Sequence, residues 1–144
     1  MFLDIDFHAD VAIYLQIVRQ IKFAIAAGKV RPGELLPSAR VLAGQLAINP
    51  NTVAHAYTEL QNDGVIESLR GRGMAVCNGA ATLCRRQRND VLADRIGESL
   101  REAWNAGLSE EKIQSIVNAH LKRLAKAPPS VNSESIVPNE NADV

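Results

Sequence analysis

Residues Leu36 to Thr52, reading L-P-S-A-R-V-L-A-G-Q-L-A-I-N-P-N-T, constrain the fold more than any other stretch of the 144-residue chain. They place two short helical patterns back to back across a tight turn. Ser38 is suited to cap the first, which runs to Leu46 or Ala47 with Leu42 and Leu46 facing inward. Asn49 is suited to cap the second. Pro50 then takes the first helical position, where its missing N–H costs nothing. Val53, Ala56, Tyr57 and Leu60 form the inward side of this second helix, and Asn51, His55, Thr58 and Asn62 fall opposite. It should stop at Asp63-Gly64.

A longer helix is expected upstream over Val11–Ala27, because Tyr14, Ile17, Val18, Ile21 and Ile25 make one apolar stripe. Gly28 is placed to end it in the left-handed conformation, and Pro32-Gly33 then turns the chain. Downstream, V-I-E-S-L and M-A-V-C flank R-G-R-G, two β-prone runs around a glycine-rich tip, which reads as a hairpin. Helix, helix, helix, hairpin is the order of a winged helix-turn-helix.

A connector is expected from Asn78 to Arg88, then a helix over Arg88–Ala106 striped by Leu92, Ile96, Leu100, Ala103 and Trp104. Gly107-Leu108 resembles a helix end with a hydrophobic follower. Ser109 caps a last helix whose first turn holds Glu110 and Glu111, matching the positive end of its dipole. Its stripe is Ile113, Ile116, Val117, His120, Leu121 and Leu124. From Ala127 onward periodicity vanishes and a disordered tail is expected. The fold class is therefore mainly α with a small β-hairpin. Residues 8–78 form the winged unit, 79–126 a helical dimerisation module and 127–144 the tail.

Composition narrows the function. The hydrophobic share of 47% supports a packed core. The net charge of +0 hides an uneven distribution. Residues 29–88 carry eight Lys/Arg against four Asp/Glu, while both flanks are acidic. A basic centre of this kind fits binding of an anionic polymer by one face. Early acids and no long apolar run argue against a secretory leader or a membrane span. Cys77 and Cys84 lack metal-ligand or disulfide-scaffold spacing, so reduced thiols and a cytoplasmic location are expected. No metal or cofactor is expected. No nucleophile–base set points to an enzyme.

Several spaced motifs resemble one family. They are Tyr14-x-Gln16-Ile17, P-G-E-L-L-P-S-A-R-x-L-A, N-P-N-T-V-x-x-A-Y-x-x-L, G-V-I and R-G-R-G-M-A-V, together covering residues 8–78. They look like the GntR family of bacterial transcription regulators. The Asn-Pro-Asn-Thr-Val start and the short two-helix tail resemble its YtrA-type subfamily. The resemblance implies a homodimeric repressor on a pseudo-palindromic operator in double-stranded DNA, often beside transport-system genes. It also leaves room for a small-molecule effector of unknown kind. The chain departs from the family at Ala12 (commonly Pro), Ala39 and Val41 (commonly acidic), Ala47 (often Gly) and His55 (commonly Lys or Arg).

The candidate DNA contacts follow. Asn51 and Thr52, at the start of a recognition helix, can reach base edges, and an asparagine pairs bidentately with adenine. Asn49 caps first and touches DNA second. His55 lies one turn on, facing a phosphate, a base or solvent. Ser38 and Arg40 stand at a helix start that attracts phosphate. Arg70 and Arg72 at the wing tip suit a minor groove or backbone, with Gly71 and Gly73 permitting close approach. Arg85, Arg86 and Arg88 read as a solvated charge run. The candidate dimer face is Leu92, Ile96, Leu100, Trp104, Ile113, Val117, Leu121 and Leu124; His120 reads as a half-buried core or interface histidine. The competing reading is a winged-helix protein-interaction module without sequence-specific DNA binding.

Overall fold

A computed structural model describes residues 3–127. The elements are α1 (Ile13–Ala26), α2 (Ala39–Leu46), α3 (Pro50–Asn62), β1 (Ile66–Leu69), β2 (Gly73–Val76), α4 (Ala80–Asn105) and α5 (Glu110–Lys126). The chain divides into two compact units between Arg88 and Asn89, inside α4.

In the first unit α1, α2 and α3 pack around one core. Ile17, Ile21 and Ile25 of α1 meet Leu42 of α2 and Val53, Ala56, Tyr57 and Leu60 of α3, and all are buried. Removing the large aliphatic side chains among these from water contributes about 1.5–3 kcal/mol each. The apolar periodicity therefore predicts the inward faces correctly, with Leu46 only half-buried against the core.

Helix ends share one device. After α1, Gly28 takes φ 76° and the Lys29 amide donates to the Ala24 carbonyl at 2.9 Å. After α3, Gly64 takes φ 74° and the Val65 amide donates to Leu60 at 2.9 Å. This six-to-one bond with a left-handed residue inside it satisfies carbonyls that a helix end leaves over. The turn after α2 is built the same way, with Ile48 donating to Ala43 at 3.0 Å, but its left-handed residue is Ala47 at φ 55°. An alanine there carries a steric cost that glycine lacks.

β1 and β2 pair antiparallel, Ile66 opposite Val76 and Leu69 opposite Gly73. The segment between α1 and α2, expected only to turn the chain, also pairs with β2 through an isolated bridge. Leu35 bridges Ala75, the Val76 amide donates to Glu34 at 2.9 Å, and the Leu36 amide donates to Met74 at 2.8 Å.

The expected connector at Asn78–Arg88 is helical instead. α4 begins at Ala80, and Ala80 and Cys84, four residues apart, are buried in the core. Two small apolar positions suffice to hold one turn of helix, and the basic run R-R-Q-R that follows obscures them in the sequence. Arg85 and Arg86 are exposed on this helix and Arg88 is half-buried.

The N-terminal segment also joins the first unit. The Gln16 side chain accepts from the Asp6 amide at 2.9 Å and donates to the carbonyls of Asp6 and Val11. Gln20 makes the matching pair with Asp4. A glutamine amide mimics a peptide group, so these two side chains hold the segment as a neighbouring strand would.

In the second unit no residue from Asn89 to Ala127 is buried. Ser109 caps α5 by accepting from the Lys112 amide at 3.2 Å, with Glu110 and Glu111 in the first turn and Arg123 and Lys126 in the last. That charge order suits the helix dipole at both ends. His120, expected as a half-buried core or interface histidine, is exposed in the single chain, like every residue of α5 but the half-buried Ile113. The tail expected from 127 lies, from residue 128 onward, outside the described residues.

Candidate nucleic-acid interface

Three successive pieces of the first unit carry the candidate contacts, and two hydrogen bonds set their relation. The Tyr57 hydroxyl of α3 donates to the Pro37 carbonyl at 2.6 Å, fastening the start of α2 to α3. One residue earlier, the Leu36 amide is bonded to Met74 in the wing. The chain entering α2 is thus held on one side by α3 and on the other by the hairpin. Burial pushes the Tyr57 phenol well above its ordinary value, so it remains a donor.

At the start of α2 the Ser38 hydroxyl accepts from the Val41 amide at 3.2 Å, the expected cap. Position 41 holds valine, so no side chain returns the bond to Ser38 as a capping box would. Ser38 and Arg40 are exposed. The first-turn amides point along the axis toward solvent, where an anion is favoured.

At the start of α3 the Asn49 side chain accepts from the Asn51 amide at 2.9 Å, with Pro50 beside it. The cap therefore uses Asn49 and leaves the side chain of Asn51 exposed. Thr52 is half-buried, and Asn51, His55, Thr58 and Asn62 are all exposed, as the helical wheel predicts. His55 is less loose than a surface histidine. Its ring stacks on Tyr14 of α1 with centroids 3.9 Å apart and planes inclined by 19°. Its Nε2 lies 3.8 Å from a Glu59 carboxylate oxygen.

In the wing the Arg72 amide donates to the Leu69 carbonyl at 2.9 Å, closing a turn with Gly71 at φ 74°. A left-handed third residue is what that turn geometry demands, and glycine supplies it without strain. Arg70, Gly71, Arg72 and Gly73 are all exposed. Among the described residues the basic side chains within 4.0 Å of a carboxylate are Lys22, beside Asp63, and His55, beside Glu59, so Arg40, Arg70 and Arg72 have no acidic partner there. No group of residues there is arranged to hold a metal ion. Burial raises the Cys84 thiol, and burial followed by the Glu67 carboxylate raises that of Cys77, which makes both poor nucleophiles.

Sequence reasoning found the caps, the exposed face of α3 and the wing arginines. It missed the Tyr57–Pro37 bond and the Tyr14–His55 stack, because each joins residues far apart in the chain. The available signal was an aromatic residue in an apolar stripe, which is equally the signature of a core position.

The model of bacterial regulatory proteins of the gntR family matches residues 13–76, from the start of α1 to the end of β2. The HTH-type transcriptional repressor YtrA of Bacillus subtilis is 37% identical over 111 residues, spanning 77% of this chain and 85% of the relative. This chain belongs to the GntR family. Its resemblance to the YtrA type extends to solved structures. A transcriptional regulator from Oenococcus oeni superposes with a TM-score of 0.70 at 35% identity, covering 83% of this chain and 99% of that one. YtrA from Sulfolobus acidocaldarius, a GntR-family transcription factor, does so with a TM-score of 0.51 at 30% identity, covering 85% and 98%. As a GntR member the chain is a DNA-binding transcription regulator with a winged helix-turn-helix, and the relatives' coverage runs past the hairpin into the helices beyond it. Among the described residues no helix is long and apolar enough to cross a membrane.

Proposed function

We infer that this regulator is a homodimeric repressor that seats one α3 helix in the major groove of each half-site of a pseudo-palindromic operator. The observation that carries the reading is the exposed polar face opening at Asn51, on a helix whose own cap is supplied by Asn49. Arg40, Arg70 and Arg72 supply the backbone contacts, with Ser38 at the same helix start. Half-sites about 34–36 Å apart follow from a two-fold axis between the subunits.

Dimerisation is assigned to the second unit. Leu92, Ile96, Leu100, Val117 and Leu121 are exposed, Trp104 is 62% and Leu124 64% exposed, and Ile113 is half-buried. Such a run of large apolar side chains on two helices exceeds what a lone chain keeps in water, and a second copy supplies the matching surface. Repression follows the named activity of the Bacillus subtilis relative, and a transport-system operon is the target class that the family resemblance implies.

The test is selection of bound duplexes from a randomised DNA pool by the full chain. An inverted repeat with half-sites one helical turn apart, bound by two chains, is the expected product. Recovery of no preferred sequence would turn the assignment toward a protein-interaction module.

A further inference from the structure

The imidazole of His55 is the one ring on the outward face of α3, and it is held rather than free. Tyr14, the second residue of α1, lays its ring against it at 3.9 Å, nearly parallel. Glu59, one turn further along α3, sets a carboxylate 3.8 Å from Nε2. Even so clasped, the His55 side chain is 52% exposed. A side chain with one face covered and one edge beside a carboxylate has less rotamer freedom left to lose when DNA arrives.

That arrangement suits a base better than a phosphate. A phosphate approaching the imidazole would also approach the Glu59 carboxylate, and the repulsion offsets the attraction. A base edge carries no net charge, and what it rewards is direction. A fixed ring offers direction at little entropic cost.

We propose that Tyr14 is a positioning residue for sequence readout: by stacking on His55 it turns that imidazole into a fixed reader of one base pair in each half-site. This rests on the reading above that α3 occupies the major groove. The probes are the duplex recovered by the wild-type chain from a randomised pool and its set of single-base-pair variants. Tyr14→Leu keeps an apolar side chain against the core but removes the flat face. It should lower discrimination at one position of each half-site by about fivefold or more, the scale of one base contact, and leave affinity for random-sequence DNA unchanged. Tyr14→Phe, which keeps the stack, should discriminate as the wild type does. His55→Ala should lose discrimination at the same position, and adding Tyr14→Leu to it should cost nothing further. His55→Lys, an exposed substitution that leaves the core alone, should lose the same discrimination. The ring-current shift of the His55 carbon-bound protons, read by NMR, should be present in the wild type and in Tyr14→Phe and absent in Tyr14→Leu. Full discrimination in Tyr14→Leu or His55→Lys, or additive losses in the double variant, overturns the proposal. Asn51→Ala separates this failure from that of the groove reading. If Asn51→Ala loses preference for the selected duplex while Tyr14→Leu does not, only the role of Tyr14 falls. If Asn51→Ala also binds as the wild type does, the placement of α3 falls, and this proposal with it.

Discussion

At the residue scale the contrast between Arg40 and Asn51 tests the interface most directly. Arg40 stands exposed at the first turn of α2 and is expected to act by charge. Arg40→Ala should weaken binding to every duplex and reduce the slope of log K against log salt by about 0.9 per lost contact. Asn51 is exposed on α3 and free of capping duty. Asn51→Ala should cost about 1–3 kcal/mol per half-site on the preferred duplex and change random-DNA binding little. Circular dichroism should show both variants folded; equal losses on both DNAs for Asn51→Ala would remove α3 from the groove. Ala47 raises a different question at the same scale. It is the one non-glycine residue with positive φ among the described residues, at 55°. Relief of its strain is about 1–2 kcal/mol, and glycine's extra freedom in the unfolded chain takes back about 0.5–1. Ala47→Gly should therefore raise stability by about 0.5–1 kcal/mol, read as a higher urea midpoint with an unchanged slope.

At the element scale the decisive contact is the fastening of α2 to α3. The Tyr57 hydroxyl reaches the Pro37 carbonyl at 2.6 Å from a buried ring. Tyr57→Phe leaves that carbonyl without its donor and should cost about 1–3 kcal/mol. Because this residue sets where α2 begins, operator affinity should fall further than stability alone explains. The phenol also makes stability depend on pH. Its proton is held more tightly in the folded state than in the unfolded one, where the ordinary value is 10.0. The stabilisation is thus complete below that value and is lost as pH rises above it, since the unfolded chain then gives up a proton that the folded chain keeps. Cys84, raised likewise from 9.0, acts in the same direction. Wild-type stability should decline above about pH 9–10, and Tyr57→Phe should decline less steeply. A flat alkaline profile in the wild type would mean that these groups are not buried in solution.

At the scale of the whole molecule the proposed reading gives the two units separate tasks, and the boundary at Arg88–Asn89 matters for any truncation. Cutting after Asn78 would strip Ala80 and Cys84 from the core, whereas cutting after Arg88 keeps them. Residues 1–88 should therefore fold alone, sediment as a monomer and bind the selected operator far more weakly than the full chain. The reason is that a dimer engages its second half-site intramolecularly and a monomer does not. A dimeric fragment would move the dimer contact out of α4 and α5. Salt should weaken the full chain steeply in spite of its net charge of +0, because the proposed contacts depend on the local arginines and not on the sum. A salt-independent interaction would instead support the protein-interaction reading.

Local rules determined much of this protein. Caps at Ser38, Asn49 and Ser109, helix stops at Gly28, Gly64 and Gly107, and the hairpin around Gly71 depend on residues within a few positions of one another. The outward polar face of α3 was legible for the same reason, since a helix with Val53, Ala56, Tyr57 and Leu60 inward has only one other side to show. Four features needed the tertiary structure. They are the bridge from Leu35 to β2, the N-terminal segment held by Gln16 and Gln20, the start of α4 at Ala80, and the stack of Tyr14 on His55. Each depends on a partner distant in the chain or on burial by other elements. A short segment shows no period of its own when it is held by a neighbouring strand, by a glutamine amide or by a core that accepts two small side chains. Periodicity reports which face of an element is apolar; packing decides what that face meets.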